Sequence, residues 1–252
     1  MKISKELIIA INASINAGIS VMRIYDSINH DVEYKKDNSP LTQADILSND
    51  IICNELNKTN TPIISEENKS ISYDLRKNWT KFWLVDPLDG TKEFLNKNGE
   101  FTVNIALIVN SKAYLGVIYI PFTKTLYYSE KGFGSYKVVL KNHVFTGHDD
   151  NNKISYNKLK VKNNILVSRS HLTKNALSFI DENPDMNLVK IGSSIKLCLL
   201  AEGEGKVYPR FAPIMEWDIA AGIIILDEAR EYKSKDISFN TKSLTLEIDL
   251  FK

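Results

Sequence analysis

Four short stretches hold the residues whose types and spacing can do chemistry. They are Asn38-Ser39-Pro40-Leu41-Thr42-Gln43-Ala44-Asp45, Ser65-Glu66-Glu67, Asp86-Pro87-Leu88-Asp89-Gly90-Thr91-Lys92-Glu93-Phe94 and Glu216-Trp217-Asp218. In the third, an apolar run, Phe82-Trp83-Leu84-Val85, ends in Asp86. Pro87 stiffens the turn and Asp89 follows three residues after Asp86, so both carboxylates can converge on one point. Gly90 lets backbone approach closely, and Thr91 is placed to cap a short helix whose first N–H groups face an anion. Carboxylates for a hard cation thus sit beside N–H groups for a phosphate. Magnesium is held in this way, by a few carboxylates plus substrate phosphate oxygens.

Each stretch alone has a plainer reading. Asp-x-x-Asp in a turn serves turn chemistry. Thr42 and Asp45 match a capping box, so Asp45 can simply cap a helix. Glu66-Glu67 fits a solvated strand end, and Asp218 fits a helix start, where the dipole favours it. The combination weighs against these readings. Two apolar strands ending in carboxylates beside a Gly-Thr helix start would be destabilising if the charges were buried without a cation.

The elements that must position these residues follow from periodicity. A helix is expected over 4–25, a polar loop over 31–41 and a second helix over 42–57. Residues 63–65 and 82–85 read as buried strands carrying carboxylates at their C-terminal ends. Strands over 101–109, 114–120, 125–130 and 134–140, joined by short turns, predict an antiparallel meander. Residues 142–164, rich in Asn, Lys and Asp, read as an exposed excursion near a boundary. Beyond it strands (165–168, 188–191, 206–208) alternate with helices (174–181, 194–202, 217–229), an α/β half. The alternation of Leu244, Leu246, Ile248 and Leu250 predicts a final strand. The expected division is an N-terminal α+β half, 1–150, carrying most metal ligands, and a C-terminal α/β half, 151–252, carrying Asp218 and substrate-binding residues.

Composition narrows the function classes. The 252 residues suffice for one large domain or two modest ones sharing a core. With 43% hydrophobic and 25% charged residues, a packed globule is expected rather than disorder. A net charge of +1 gives no bulk attraction to nucleic-acid polymers or membrane surfaces, so an anionic ligand needs a local site. Residues 7–22 are apolar enough to suggest a signal peptide. However, Glu6, Asn12 and Asn16 interrupt the run, and Leu7, Ile11, Ile15 and Ile19 mark one buried stripe of an amphipathic helix. Other apolar stretches, such as 219–226, are too short to span a bilayer. Cys53 and Cys198 lie in apolar helical runs and read as reduced core residues, which fits the cytoplasm. His30, His143, His148 and His171 lack the cysteine-backed spacing of a zinc site.

The four stretches resemble the signature of the inositol monophosphatase superfamily, a lithium-sensitive, magnesium-dependent group. The block 83–94, with Asn98-Gly99-Glu100-Phe101-Thr102-Val103-Asn104-Ile105-Ala106-Leu107 after it, is closer still to the bacterial 3′(2′),5′-bisphosphate nucleotidases. Gly192-Ser193-Ser194-Ile195-Lys196, Ala201-Glu202-Gly203 and Tyr208-Pro209-Arg210-Phe211 also resemble that branch. The resemblance runs over residues 15–225 and implies layered α/β/α/β/α packing. It implies removal of the 3′-phosphate from adenosine 3′,5′-bisphosphate, giving AMP and phosphate, by in-line attack of water without a covalent intermediate. The cofactor implied is Mg2+, the partner a small nucleotide, and the setting sulfur metabolism in the cytoplasm, with peripheral association with the inner membrane left open.

Residue by residue, Glu66, Asp86 and the Leu88 carbonyl match the ligands of a first magnesium. Asp86, Asp89 and Asp218 match those of a second. Asp45 and Thr91 match the pair that orients the attacking water, with Glu66 helping to prepare it. Gly90 and Thr91 match backbone donors to the scissile phosphate, and Glu67 an outer carboxylate. Lys196 and Arg210 match basic positions for the second phosphate, with Ser193, Ser194 and His171 in matching segments. Each of these also reads as a surface ion pair or capping residue. The tail after residue 231 matches poorly, and Asp227-Glu228-Ala229-Arg230 stands where the branch places glycine. Two rivals stay open: an inositol monophosphatase or fructose-1,6-bisphosphatase with the same metal site, and a non-catalytic nucleotide sensor.

Overall fold

The structure, a computed structural model, describes residues 3–27, 32–34, 40–157, 160–170, 172–230 and 237–251. The first half runs α1 (Lys5–Tyr25), β1 (Val32–Tyr34), β2 (Pro40–Thr42), α2 (Gln43–Leu56), β3 (Ile63–Ser65), α3 (Tyr73–Arg76), β4 (Lys81–Asp89) and α4 (Thr91–Leu95). The meander follows as β5 (Thr102–Val109), β6 (Lys112–Ile120), β7 (Thr125–Glu130) and β8 (Gly134–Val139). After it come β9 (Asn164–Ser168), α5 (Lys174–Asp181), β10 (Asn187–Ile191) and α6 (Ile195–Glu202). The chain closes with β11 (Tyr208–Pro209), β12 (Ile214–Met215), α7 (Glu216–Arg230), β13 (Thr245–Leu246) and β14 (Leu250–Phe251).

Strands β3 to β8 form one sheet in sequence order, β3 parallel to β4 and the rest antiparallel. Its strands are apolar on both faces because both faces are covered. Trp83, Val85, Ile105 and Val117 pack against Leu7 and Ile11 of α1 and Ile52 of α2. Phe82, Leu84, Ile108 and Ile118 pack against Leu197 of α6 and Ile219 and Ile223 of α7. Gly116 is required here, since a Cβ on it would lie 2.6 Å from the Ala221 carbonyl oxygen of α7. Behind α6 lies the parallel pair β9–β10, with Leu166 facing the α6–α7 core and Ile165 and Val167 packing towards Phe179 and Ile180 of α5. The order helix, sheet, helix, sheet, helix is the layered architecture expected. The α6–α7 core draws residues from both sides of position 150.

By length and composition α1 could cross a membrane. In this fold Leu7, Ala10, Ile11, Ala13, Ala17 and Val21 are fully buried within the protein, as the amphipathic reading requires. Ser4 caps the helix, its Oγ accepting from Leu7 N at 3.1 Å.

Three expectations need correction. Strand β4 does not stop at Asp86 but continues to Asp89. A bulge separates the Asp86–Asn104 and Asp89–Thr102 pairings, because the proline in the turn cannot donate to the ladder. The strand expected over 206–208 is Tyr208–Pro209, with Val207 making a single bridge to Ile165. The single final strand is two short ones, β13 and β14, which pair with β12 and β11. Leu244, Leu246 and Ile248 still face the core, so the alternation reports burial rather than one continuous ladder.

Candidate active site

The bulged end of β4 builds one wall of a cleft of about 440 Å3. Asp86 is buried, and its Oδ1 accepts from Leu88 N at 3.1 Å, which curls the turn. Gly90 has φ +92°, a left-handed conformation that favours glycine, and a Cβ there would come within 3.1 Å of the Glu100 carbonyl oxygen. Gly90, not Thr91, is the N-cap of α4. The Thr91 hydroxyl is turned instead towards Asp45 Oδ1 at 3.2 Å and the Leu88 carbonyl at 3.3 Å.

Asp45 satisfies both of its sequence readings at once. Its Oδ2 accepts from Thr42 N at 2.7 Å and Thr42 Oγ1 at 2.6 Å, closing a capping box on α2. Its Oδ1 faces Thr91. Ser48, one turn along α2 and unremarked in the sequence, donates to the Pro87 carbonyl at 2.7 Å. That bond clamps α2 to the Asp86–Asp89 turn.

Glu66 follows β3, and its N–H donates to the Val85 carbonyl at 3.1 Å, which brings it alongside Asp86. Ser65 donates to Asn49 Oδ1 at 2.6 Å beneath it. Asp218 arrives from the opposite wall on the first turn of α7, its Oδ2 accepting from Met215 N at 3.3 Å. One carboxylate oxygen from each of Glu66, Asp86 and Asp218 lies within 4.8 Å of the others. Burial pushes the Asp86 carboxyl well above the usual carboxylate range, and Glu66, Asp89 and Asp218 push it further. Asp218 is raised by burial and by Asp89 and Glu66. Three hard oxygen donors that resist being jointly ionised suit a divalent cation, which would repay the desolvation and repulsion.

Asp89 lies beside the three-carboxylate cluster, its Oδ2 accepting from Ser194 N at 2.6 Å and lying 2.7 Å from Ser194 Oγ. Asn104 reaches the same pair, 2.9 Å from Ser194 Oγ and 3.4 Å from Asp89 Oδ2. Asn104 is the polar residue inside an apolar strand, a signal that sequence reasoning could have used. Glu67 is half-buried beside Glu66 and outside the cluster.

The wall opposite is built after residue 190. Ser193 holds a left-handed φ of 48°. Lys196 is buried, its Nζ donating to the Ser193 carbonyl at 2.6 Å and lying 5.2 Å from the Tyr208 ring centroid. Burial pushes its ammonium down to about 8, with Asp89 and Glu93 opposing. The Arg210 Nη2 donates to the Pro213 carbonyl at 3.1 Å. Among the described residues, the expected metal ligands and Gly90, Thr91, Ser193, Ser194, Lys196 and Arg210 line this one cleft, with Asp45 behind it reaching in through Thr91. His171 and the Asn38-Ser39 part of the first motif lie outside the described residues. Arg169, also missed, grips Glu100 with two bonds of 2.6 Å and ties the walls together.

The model of the inositol monophosphatase family matches residues 3–229. The chain belongs to that family. Members are metal-dependent phosphatases, and the acidic cluster sits where such chemistry needs it. Among relatives of the family, the chain is 39% identical over 211 residues to the 3′(2′),5′-bisphosphate nucleotidase CysQ of Salmonella typhimurium, covering 82% of this chain and 81% of that one. It is 41% identical over 221 residues to the nucleotidase of the same name from Buchnera aphidicola, covering 84% and 77%. The solved structure of CysQ from Bacteroides thetaiotaomicron, a bacterial family member, superposes with a TM-score of 0.82 at 40% identity, over 97% of this chain and 95% of that one.

Proposed function

We infer that the chain is a 3′(2′),5′-bisphosphate nucleotidase, a phosphoric monoester hydrolase that converts adenosine 3′,5′-bisphosphate to AMP and phosphate. The observation that carries this reading is one cleft holding both a three-carboxylate cluster and two basic side chains, Lys196 and Arg210. Nucleotidase relatives at 39% and 41% identity supply the substrate class. An inositol phosphate has no second phosphate for the two basic groups to read.

The cation is assigned as Mg2+; Glu66, Asp86 and the Leu88 carbonyl would hold it at a first position, and Asp86, Asp89 and Asp218 at a second. Such cations, when bound, polarise the phosphoryl oxygens and stabilise the leaving alkoxide. The chain's own residues do the rest. The Thr91 hydroxyl donates to Asp45 Oδ1, so its lone pair is left to accept from a water aligned on phosphorus. Glu66 orients the same water from the other side. The water oxygen forms a bond to phosphorus as the ester P–O bond breaks, and the departing 3′-oxygen takes up a proton. Gly90 and Thr91 offer main-chain donors to the scissile phosphate, while Lys196 and Arg210, with Ser193 and Ser194, hold the phosphate that stays. Glu67 is an outer carboxylate. Lithium sensitivity goes with the family assignment, and two free cysteines fit a reducing cytoplasm.

Phosphate release from adenosine 3′,5′-bisphosphate, inositol 1-phosphate and fructose 1,6-bisphosphate tests the reading side by side. The nucleotide is expected to be the best substrate, with activity lost in chelator and restored by magnesium. Preference for either other phosphate would overturn the substrate assignment. Full activity in chelator would overturn the cation.

A further inference from the structure

We propose that the C-terminal tail, through Asn240 and Thr241, is a positioning element of the carboxylate site, setting the first turn of α7 and with it Asp218. The proposal rests on reading Glu66, Asp86 and Asp218 as a cation site, but concerns residues beyond the region matched by the family.

Glu216, the first residue of α7, is fully buried. A buried carboxylate is tolerated only when donors satisfy its oxygens. The tail supplies them: Asn240 N donates to Oε2 at 2.8 Å, and Thr241 N and Thr241 Oγ1 donate to Oε1 at 2.7 and 2.6 Å. The Glu216 N–H in turn donates to the Leu244 carbonyl at 2.9 Å. One residue earlier, Met215 pairs with Thr245 across β12 and β13, and its N–H donates to Asp218 Oδ2. The donor that orients the Asp218 carboxylate is therefore on a strand held by the tail.

The same two residues, with Lys242, answer a buried cation on the far side of the tail. Arg76, on α3 downstream of Glu66, is almost fully buried. Its Nη1 donates to Asn240 Oδ1 at 2.6 Å and to the Thr241 carbonyl at 2.8 Å, and its Nη2 to the Lys242 carbonyl at 3.0 Å. Asn240 Nδ2 returns a bond to the Arg76 carbonyl at 2.7 Å. Asn240 sits at φ +74°, a conformation that asparagine adopts more readily than most residues. Residues 240–242 thus join a buried anion two residues before Asp218 to a buried cation on the segment leaving Glu66. If these bonds loosen, the two walls lose their common anchor and the three carboxylates lose their spacing.

The test uses the full chain with Thr241→Val, which removes the hydroxyl bond to Glu216, and Thr241→Ser, which keeps it. Leu126→Val, in the core under α1, serves as a stability control. Two readouts are taken: amide exchange of residues 214–219 in the metal-free protein, and magnesium affinity by calorimetry. Thr241→Val is expected to speed exchange in that segment and to weaken magnesium binding about tenfold, the loss associated with one charge-assisted hydrogen bond. Thr241→Ser should restore both, and the control should change neither after its effect on Tm is allowed for. Where Thr241→Val fails to fold, Asn240→Gly keeps the left-handed backbone, removes both side-chain bonds to Arg76 and is expected to act the same way. Wild-type exchange and affinity in the valine variant, or equal effects from the control, would overturn the proposal. If wild type binds no magnesium, the cation reading fails by itself, while exchange in the metal-free protein still decides the role of the tail.

Discussion

One wall of the cleft is made by residues close together in the chain. Asp86 is held by Leu88 N, Thr91 by the Leu88 carbonyl and Asp45 by Thr42, each no more than three residues away, and a single bond across 46 residues joins Thr91 to Asp45. The other wall is made at long range. Asp89 meets Ser194 across 105 residues, and Glu216, which leads into Asp218, is satisfied by donors 24 and 25 residues further on. The first wall is a set of turn and cap geometries that form with the local backbone, joined by the ties from α2 at Asp45 and Ser48. The second exists only once α6, α7 and the tail have packed on the sheet. A site split in this way has a half built largely from neighbouring residues and a packed half whose placement depends on global folding.

Asp86→Asn gives the largest expected effect, because Asp86 belongs to the near wall yet faces carboxylates from both. Turnover should fall to background, and in chelator the variant should be more stable than wild type at neutral pH. The sign follows from the raised carboxyl. Its stabilising protonated form is fully present below the unfolded value, near 3.9. That stability is lost as pH rises through the higher folded value. Removing the acid therefore raises the Tm of the metal-free protein most at pH 7 and little at pH 4. Thermal melts in chelator across this range check it. A metal-free variant less stable than wild type at pH 7 would mean that Asp86 is not under repulsion.

Arg210→Ala probes the packed wall and should have an intermediate effect that depends on substrate. Lost contacts to a phosphate are worth roughly 1.5–3 kcal/mol, about ten- to a hundredfold in kcat/KM. The loss should appear on the bisphosphate nucleotide and be small on inositol 1-phosphate. Equal losses on both would reduce Arg210 to the support it gives the Pro213 carbonyl. Lys196→Ala is a less clean probe, because Nζ also holds the Ser193 carbonyl and the turn around it.

Ser48→Ala should give the smallest effect. It removes one bond between α2 and the β4 turn, worth about 0.5–1.5 kcal/mol of stability. If the near wall is held by many local contacts, kcat should change less than Tm. A large loss of kcat with an intact Tm would show that this wall depends on its one tie to α2 more than its local bonding implies.

The short-range part of the molecule was legible in the residues themselves. The Thr42–Asp45 box, the buried strand run at residues 82–85 and the close backbone approach at Gly90 each carry their cause within a few positions, since caps, turns and pleats are set by neighbours. The two readings of Asp45 could not be separated in sequence because both are true: one oxygen caps and the other faces Thr91. What misled was a tertiary contact. The spacing of Thr91 suggests a cap, but the Asp45 carboxylate, 46 residues earlier, claims its hydroxyl, and Gly90 takes the position.

Sequence by itself determined the family, the kinds of donor present and the acidic character of the near wall, because these depend on residue type and on separations of a few positions. Only the tertiary structure decided that Asp218 joins Glu66 and Asp86 while Asp89 turns to Ser194. It also decided that the tail, which matches the family poorly, supplies the partners of two buried charges, Arg76 meeting Asn240 across 164 residues. No periodicity or spacing encodes such a pairing. It arises because burying a charge is costly, and the chain satisfies it with whichever polar groups the packed layers bring within reach.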